Sequence, residues 1–192
     1  MKTERLSWNI ILASKSPRRQ DLLKKLGFEF EIKTKEIEEI YPPGLQQEQV
    51  AVFLSELKAS AFQQELGDKD LVITSDTIVC LGAEIIGKPK DRADAIQMLS
   101  KLSGNKHEVI TAVTLTAKEK QHTFYEVTAV YFKTLTLQEI EYYIDKYQPF
   151  DKAGSYGIQE WIGFIGIEKI NGSYFNVMGL PVKRVYEEIL KF

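Results

Sequence analysis

The chain has 192 residues, 44% hydrophobic and 27% charged, with 25 Lys+Arg against 27 Asp+Glu and a formal net charge of −2. This is an ordinary globular composition, long enough for one large domain or two small lobes, and a chain of this size buries roughly 70% of its unfolded surface. The near-neutral balance argues against a general nucleic-acid binder, no apolar run approaches the ~20 residues that span a bilayer, and MKTERLSWNI lacks the apolar stretch and cleavage site of a secretory leader. The one cysteine, Cys80, cannot form an internal disulfide. The expectation is therefore a cytoplasmic protein with neither membrane nor nucleic acid as partner.

Trp8–Ala13 is apolar and β-prone and predicts a buried strand. Ser16-Pro17 then places a cap and a first-turn proline at a helix start. Leu22, Leu23 and Leu26 share one face of that helix, and Gly27 stops it. Phe28, Phe30 and Ile32 alternate with polar residues, as in a strand. Residues 36–44 are acidic, then Pro-rich, and predict a loop. Residues 46–66 predict a long helix with Val50, Phe53, Leu54, Leu57 and Ala61 on one face. Residues 71–80 predict a second apolar strand, interrupted at Thr74-Ser75-Asp76-Thr77, with 84–87 returning as a short hairpin arm. Asp91 and Asp94 bracket a helix start with Ala95, Ile96, Leu99 and Leu102 facing inward. Residues 109–117 and 123–135 predict two long strands, and Thr136 with Glu139 makes a capping box for a helix to Tyr147. A loop over 151–159, a strand over 162–170, a hairpin turn at Asn171-Gly172 and a final helix from Pro181 complete the reading. Strands and helices intermix without strict βαβ alternation, which predicts a mixed α/β fold with helices flanking the sheet.

Four places carry possible chemistry. In Leu12–Arg19 a buried strand gives way to small residues, Ser14 and Ser16, and then to a helix start bearing Arg18 and Arg19. A helix N-terminus attracts anions and arginine matches phosphate oxygens. Cations there oppose the helix dipole, so either an anion offsets them or they are solvated surface arginines. Asp76 sits inside an apolar run, where a carboxylate needs a reason. It is a general base, a metal ligand, or a carboxylate held by neighbouring N–H and hydroxyl groups. Gly87-Lys88-Pro89 presents a lysine on a rigid turn but lacks the Walker A spacing. Asp151–Gln159, with Lys152, Tyr156 and Gln159, reads as a nucleotide-shaping loop or an ordinary one. Glu36, Glu38 and Glu39 offer metal oxygens or form a solvated acidic loop. His107 and His122 lack zinc-type partners, and Cys80 reads as a core residue.

Taken in order, LASKSPRRQDLL at 12–23, LKASAF at 57–62, SDTIV at 75–79, GKPKD at 87–91, LSGNKHEVIT at 102–111, DKAGSYGIQ at 151–159 and GSYFNVMGLP at 172–181 resemble the Maf family of nucleoside triphosphate pyrophosphatases, once described as septum-formation proteins. The resemblance covers nearly the whole chain as a single Maf-type domain over 1–192. It implies a mixed, twisted sheet flanked by helices, of the Maf and inosine-triphosphatase-like type, with a nucleotide cleft between two lobes. It further implies hydrolysis of a nucleoside triphosphate to the monophosphate and pyrophosphate with a divalent cation, Mg²⁺ in first place and Mn²⁺ as alternative. By resemblance Asp76 matches the catalytic proton acceptor. Arg18, Thr77 and Gln159 match the positions tied to base selectivity, in the combination associated with the dTTP/UTP branch. Ser14, Ser16, Arg19, Lys58, Lys88 and Lys152 are the expected phosphate-binding set. Glu39, or its neighbour Glu38, matches an acidic residue near the metal, with Asp76 as a second ligand. A homodimer is compatible with the family. Two positions depart from its pattern: Ser75 stands where Ala is commoner, and Glu160 where Gly often follows the Gln. The second adds a carboxylate beside the expected pocket. The rival expectations are a non-enzymatic nucleotide-binding regulator of cell division, the same hydrolysis on non-pyrimidine nucleotides, and a protein-interaction module.

Overall fold

The computed structural model describes residues 8–192; Met1–Ser7, which begin the segment read above as lacking a leader, lie outside the described residues. In chain order the elements are β1 (Asn9–Leu12), α1 (Pro17–Lys25), β2 (Phe30–Ile32), α2 (Glu48–Ser60), β3 (Asp70–Leu81), β4 (Glu84–Ile86), α3 (Arg92–Leu102), β5 (Lys106–Thr116), β6 (Gln121–Phe132), α4 (Leu137–Tyr147), α5 (Trp161–Gly166), β7 (Ile167–Asn171), α6 (Tyr174–Val177) and α7 (Val182–Lys191). The strands form a seven-stranded sheet in the order β2-β1-β3-β5-β6-β7, with β4 paired to β3. β1 runs parallel to both β2 and β3, whereas β4 and β7 lie antiparallel to β3 and β6, so the mixed sheet expected from the intermixed elements is present. No helix among the described residues is long and apolar enough to cross a membrane.

Most boundaries follow local chemistry. Ser16 caps α1 by accepting the Arg19 N–H, with Pro17 in the first turn. Asp91 caps α3 through the Asp94 N–H, and Thr136 and Glu139 close a reciprocal capping box on α4. Five expectations are corrected. β3 is continuous rather than interrupted, because Thr74 and Asp76 find partners on α2 instead of breaking the strand. The long helix ends at Ser60, followed by a separate 3₁₀ turn at Gln63–Glu65, and it buries Val50, Ala51, Leu54, Ser55 and Ala59 instead of Phe53, Leu57 and Ala61. The apolar run 162–170 divides into helix α5 and strand β7, since a short apolar run does not declare its period. Asn171-Gly172 leads into the one-turn helix α6, capped by Ser173, and not into a hairpin. Ile32 is 50% exposed, so the alternation in β2 does not mark a buried face.

The described residues fold as two compact units: the first holds 8–76 with Thr111–Glu126 and Gly179–Phe192, and the second Thr77–Ile110 with Val127–Met178. In the first, Ile11 and Val72 pack against Phe62 and Leu66. A ladder of buried hydroxyls ties α2 to the sheet. Thr74 Oγ1 donates to the Ser55 carbonyl at 2.8 Å, Ser55 Oγ meets Thr114 Oγ1 at 2.8 Å, and Thr114 Oγ1 meets Thr123 Oγ1 at 3.1 Å.

The second unit has its own apolar core, in which Leu99 and Leu102 of α3, Ile140 and Ile144 of α4 and Phe132 of β6 are buried together. His107 is enclosed in it, with Nε2 2.7 Å from the Tyr156 hydroxyl and its ring edge-on to Phe132. Burial pushes the His107 imidazole down to about 4 from its ordinary 6.5. Its folded pKa is depressed, so the unfolded chain binds the extra proton first, and stability present above pH 6.5 is lost as pH falls toward 4. Urea unfolding at pH 7 and pH 4 should show a loss of about 3 kcal/mol from this group, and His107→Phe should have the shallower profile. Equal slopes in the two proteins would assign the acid sensitivity elsewhere.

Candidate active site

Parallel pairing brings the carboxyl end of β1 beside the middle of β3. Leu12 of β1 stands opposite Ile73 of β3, and the Ala13 N–H donates to the Ile73 carbonyl at 2.9 Å. The Ser14–Arg19 turn therefore leaves the carboxyl end of β1 beside Thr74–Asp76, the kind of edge where ligands bind open α/β sheets. Ser14 Oγ accepts the Ser16 N–H at 3.2 Å and Ser16 Oγ accepts the Arg19 N–H at 3.5 Å, so the two hydroxyls take up amides that an anion would otherwise meet. Arg18 follows half-buried on α1.

Arg19 is half-buried and points inward. Its Nε donates to the Gly179 carbonyl at 2.8 Å and its Nη1 to the Ser75 carbonyl at 3.0 Å. Burial lowers the guanidinium's pKa, and the nearby Asp76 charge opposes that shift. The guanidinium remains a cation, and its hydrogen bonds fix the main chain immediately before Asp76.

Asp76 is the chemical centre of this unit. Only 7% of it is exposed, in a strand otherwise lined by Leu71, Val72 and Ile73. Lys58 of α2 approaches with Nζ 2.5 Å from Asp76 Oδ1 and 2.8 Å from Glu39 Oε1. Lys58 lies one helical turn beyond Ser55, and Asp76 lies two strand positions beyond Thr74, so the hydroxyl ladder sets the register that makes them meet. Among the described residues no cluster of three or more His, Cys, Asp or Glu side chains forms a ready metal cage. Two carboxylates converging on one cation centre nevertheless fit Mg²⁺, which is commonly held by one or two carboxylates, waters and substrate phosphates. Glu38 is exposed on the same loop as Glu39.

In the second unit, the Gly154 N–H donates to the Gly87 carbonyl at 2.9 Å and so fastens the 151–160 loop to the turn that carries exposed Lys88. Lys152, only 7% exposed, places Nζ 2.8 Å from Asp151 Oδ1 and 3.2 Å from Glu160 Oε1. Thr77 is half-buried on β3. Ser155 holds a left-handed backbone at φ +60°, a costly conformation for a residue with a Cβ. Two buried side-chain atoms on this loop, Ser155 Oγ and Gln159 Oε1, have no hydrogen-bond partner among the described residues. Buried polar atoms are normally satisfied, so an unpaired pair on one strained loop marks a place for a ligand.

The residue pattern pointed to Lys58 only through the resemblance, and it missed Ser55, Thr74, Thr114 and Tyr143 altogether. Their signal was the threonines at 111, 114 and 116, which punctuate an otherwise apolar strand and which strand propensity alone accounts for. Gly163 was missed as well. A Cβ there would lie 1.8 Å from the Ile158 carbonyl oxygen, so the chain carrying Gln159 can pack on α5 only because this position is bare. Gly163→Ala should cost about 1–3 kcal/mol as local overpacking and lower Tm by several degrees. A melt with an unshifted midpoint would show that the close approach is not maintained.

The Maf-like protein family matches residues 9–192. A dTTP/UTP pyrophosphatase of Bacteroides fragilis (strain ATCC 25285) is 52% identical over 183 residues, 95% of each chain. One from Flavobacterium psychrophilum is 54% identical over 181 residues, 94% of this chain and 93% of that one. Another from Phocaeicola vulgatus is 54% identical over 185 residues, 96% of each. Among solved structures, the Staphylococcus aureus Ham1 protein gives a TM-score of 0.44 at 16% identity over 65% of this chain and 71% of that one. The matched residues 9–192 include the Ser14–Arg19 turn, the Asp76 strand and the 151–160 loop, and the chain belongs to the Maf family.

Proposed function

We propose that this protein is a nucleoside triphosphate pyrophosphatase, a hydrolase acting on phosphoric anhydrides, that converts dTTP and UTP to the monophosphate and pyrophosphate. The observation that carries the reading is Asp76, a carboxylate buried in an apolar strand beside the carboxyl end of β1 and paired with Lys58, which also meets Glu39. The names of relatives above 50% identity support the same reaction and the same bases.

In this reading a water attacks the α-phosphorus. Asp76 accepts its proton as the new O–P bond forms, and the bond to the bridging oxygen breaks, releasing pyrophosphate. Lys58 orients the Asp76 carboxylate and adds positive charge near the reacting phosphates. Ser14 and Ser16 each keep a hydroxyl proton to donate to phosphate oxygens while accepting main-chain N–H groups. Arg19 holds the Ser75 carbonyl, and with it the position of Asp76. Lys88 and Lys152 supply further charge to the leaving group. Glu39 and Asp76 would hold a divalent cation, Mg²⁺ in first place, which supplies charge neutralisation on the phosphates. Catalysis of this kind is mainly positioning and electrostatics.

Arg18, Thr77 and Gln159 read the base. The unpaired buried Gln159 Oε1 is an acceptor, and uracil and thymine both offer an N–H at N3. Their sharing of this edge accounts for a site that takes both.

Pyrophosphate release from dTTP, UTP, CTP and GTP, with Mg²⁺ and with EDTA, tests the reading. Release favouring dTTP and UTP and abolished by EDTA is expected. Asp76→Asn should lower kcat by at least ~10²-fold, and a variant within twofold of wild type would remove Asp76 from the chemistry. Gln159→Ala should reduce the UTP-to-GTP ratio of kcat/KM. Equal losses on both nucleotides would make Gln159 structural instead. Nucleotide binding without hydrolysis would replace this reading with that of a regulator.

A further inference from the structure

The second unit contains a chain of polar contacts of which the proposed reaction uses only Lys152. Tyr143 of α4 is fully buried, and its hydroxyl accepts the Gly157 N–H at 3.0 Å and donates to Glu160 Oε2. The other carboxylate oxygen of Glu160 meets Lys152 Nζ at 3.2 Å, and Lys152 in turn meets Asp151. Glu160 is largely buried, its side chain 19% exposed, so its charge is strongly felt by its neighbours. Gly157 and Glu160, two residues before Gln159 and one after it, are thereby clamped to a rigid helix.

Gln159 lies inside this clamp. A Cβ on Gly157 would lie 2.9 Å from Glu160 Cδ, 3.0 Å from Glu160 Oε2 and 3.0 Å from Gln159 Nε2, so the two side chains share the space over that bare backbone. The amide's NH₂ end is thus on the carboxylate's side, and its carbonyl oxygen is the atom left buried without a partner. A primary amide can present either end, and its neighbours decide which. A carboxylate accepts and never donates, so Glu160 favours the NH₂ end toward itself and the carbonyl toward the ligand.

We infer that Glu160, anchored by Tyr143 and Lys152, is a positioning residue that fixes the orientation of the Gln159 amide and so selects a base offering an N–H over one offering a bare ring nitrogen. Uracil and thymine carry a hydrogen on N3 and an oxygen at position 4, whereas cytosine carries a bare N3 and an amino group. A freely turning amide suits either edge, and a fixed one suits only the first. This inference rests on the proposed contact between Gln159 and the base, and it goes beyond that contact by naming what sets its polarity.

The test is the ratio of kcat/KM for UTP to that for CTP, measured by pyrophosphate release. Glu160→Gln keeps the shape and an acceptor for Tyr143 while removing the charge. It should lower the ratio about tenfold, the scale of one hydrogen bond gained or lost, chiefly by raising CTP turnover relative to UTP. Tyr143→Phe leaves the carboxylate but removes its anchor, and it should lower the ratio by a smaller factor even if Glu160→Gln proves unstable. An unchanged ratio in a folded Glu160→Gln or Tyr143→Phe protein, including equal losses on both nucleotides, overturns the inference and leaves the pyrophosphatase reading standing. A wild-type protein that releases pyrophosphate from no nucleotide overturns both.

Discussion

A carboxylate inside an apolar strand must be met by a cation, and the first unit is arranged around meeting it. Asp76 lies among residues such as Leu71, Val72 and Ile73, where an isolated charge would be expelled or neutralised. Lys58 meets it only if α2 lies at one particular register against β3. Apolar contacts such as that between Phe62, just beyond the helix, and Val72 hold this segment on the sheet, but they tolerate sliding. Hydrogen bonds from Thr74 to Ser55 and between Ser55 and Thr114 do not, because a shift of one turn would leave several buried hydroxyls unpaired. Arg19 completes the arrangement from the other side by holding the Ser75 carbonyl. The polar ladder thus supplies the specificity of position that the apolar core lacks.

The second unit meets a different constraint. Its 151–160 loop carries a left-handed Ser155 and two unpaired buried polar atoms, all unfavourable in isolation. The surrounding contacts over-determine the loop. Gly154 is bonded to Gly87, Gly157 to Tyr143, and Lys152 is held by two carboxylates. Such strain persists only where the scaffold is rigid, and the scaffold here is a core in which Tyr143, Leu99 and Ile144 are fully buried.

The sequence was most legible where a local rule decides the outcome. Ser16-Pro17, Asp91 and the Thr136–Glu139 box start the helices where expected, because each satisfies orphan amides within its own turn. It was least legible where partners are distant in the chain. The threonine and aspartate of β3 looked like an interruption because Ser55, Thr114 and Lys58, which satisfy them, lie 18 to 40 residues away. The 162–170 run failed for another reason: five residues of helix and four of strand in one apolar stretch leave no period to count. For the site, the order of motifs placed Asp76, Lys58 and Gln159 by resemblance. Only coordinates reveal that Arg19 spends its donors on carbonyl groups and that Glu160, an apparent departure, is tied into the fold.

That use of donors bears on the metal. In the first unit Lys58 is shared between the carboxylates of Glu39 and Asp76. Asp76 itself repels an approaching triphosphate. A divalent cation entering with the substrate would offset that repulsion, since it binds phosphate oxygens and needs only one or two protein carboxylates. Such a cation would give Glu39 a use that phosphate binding alone would not.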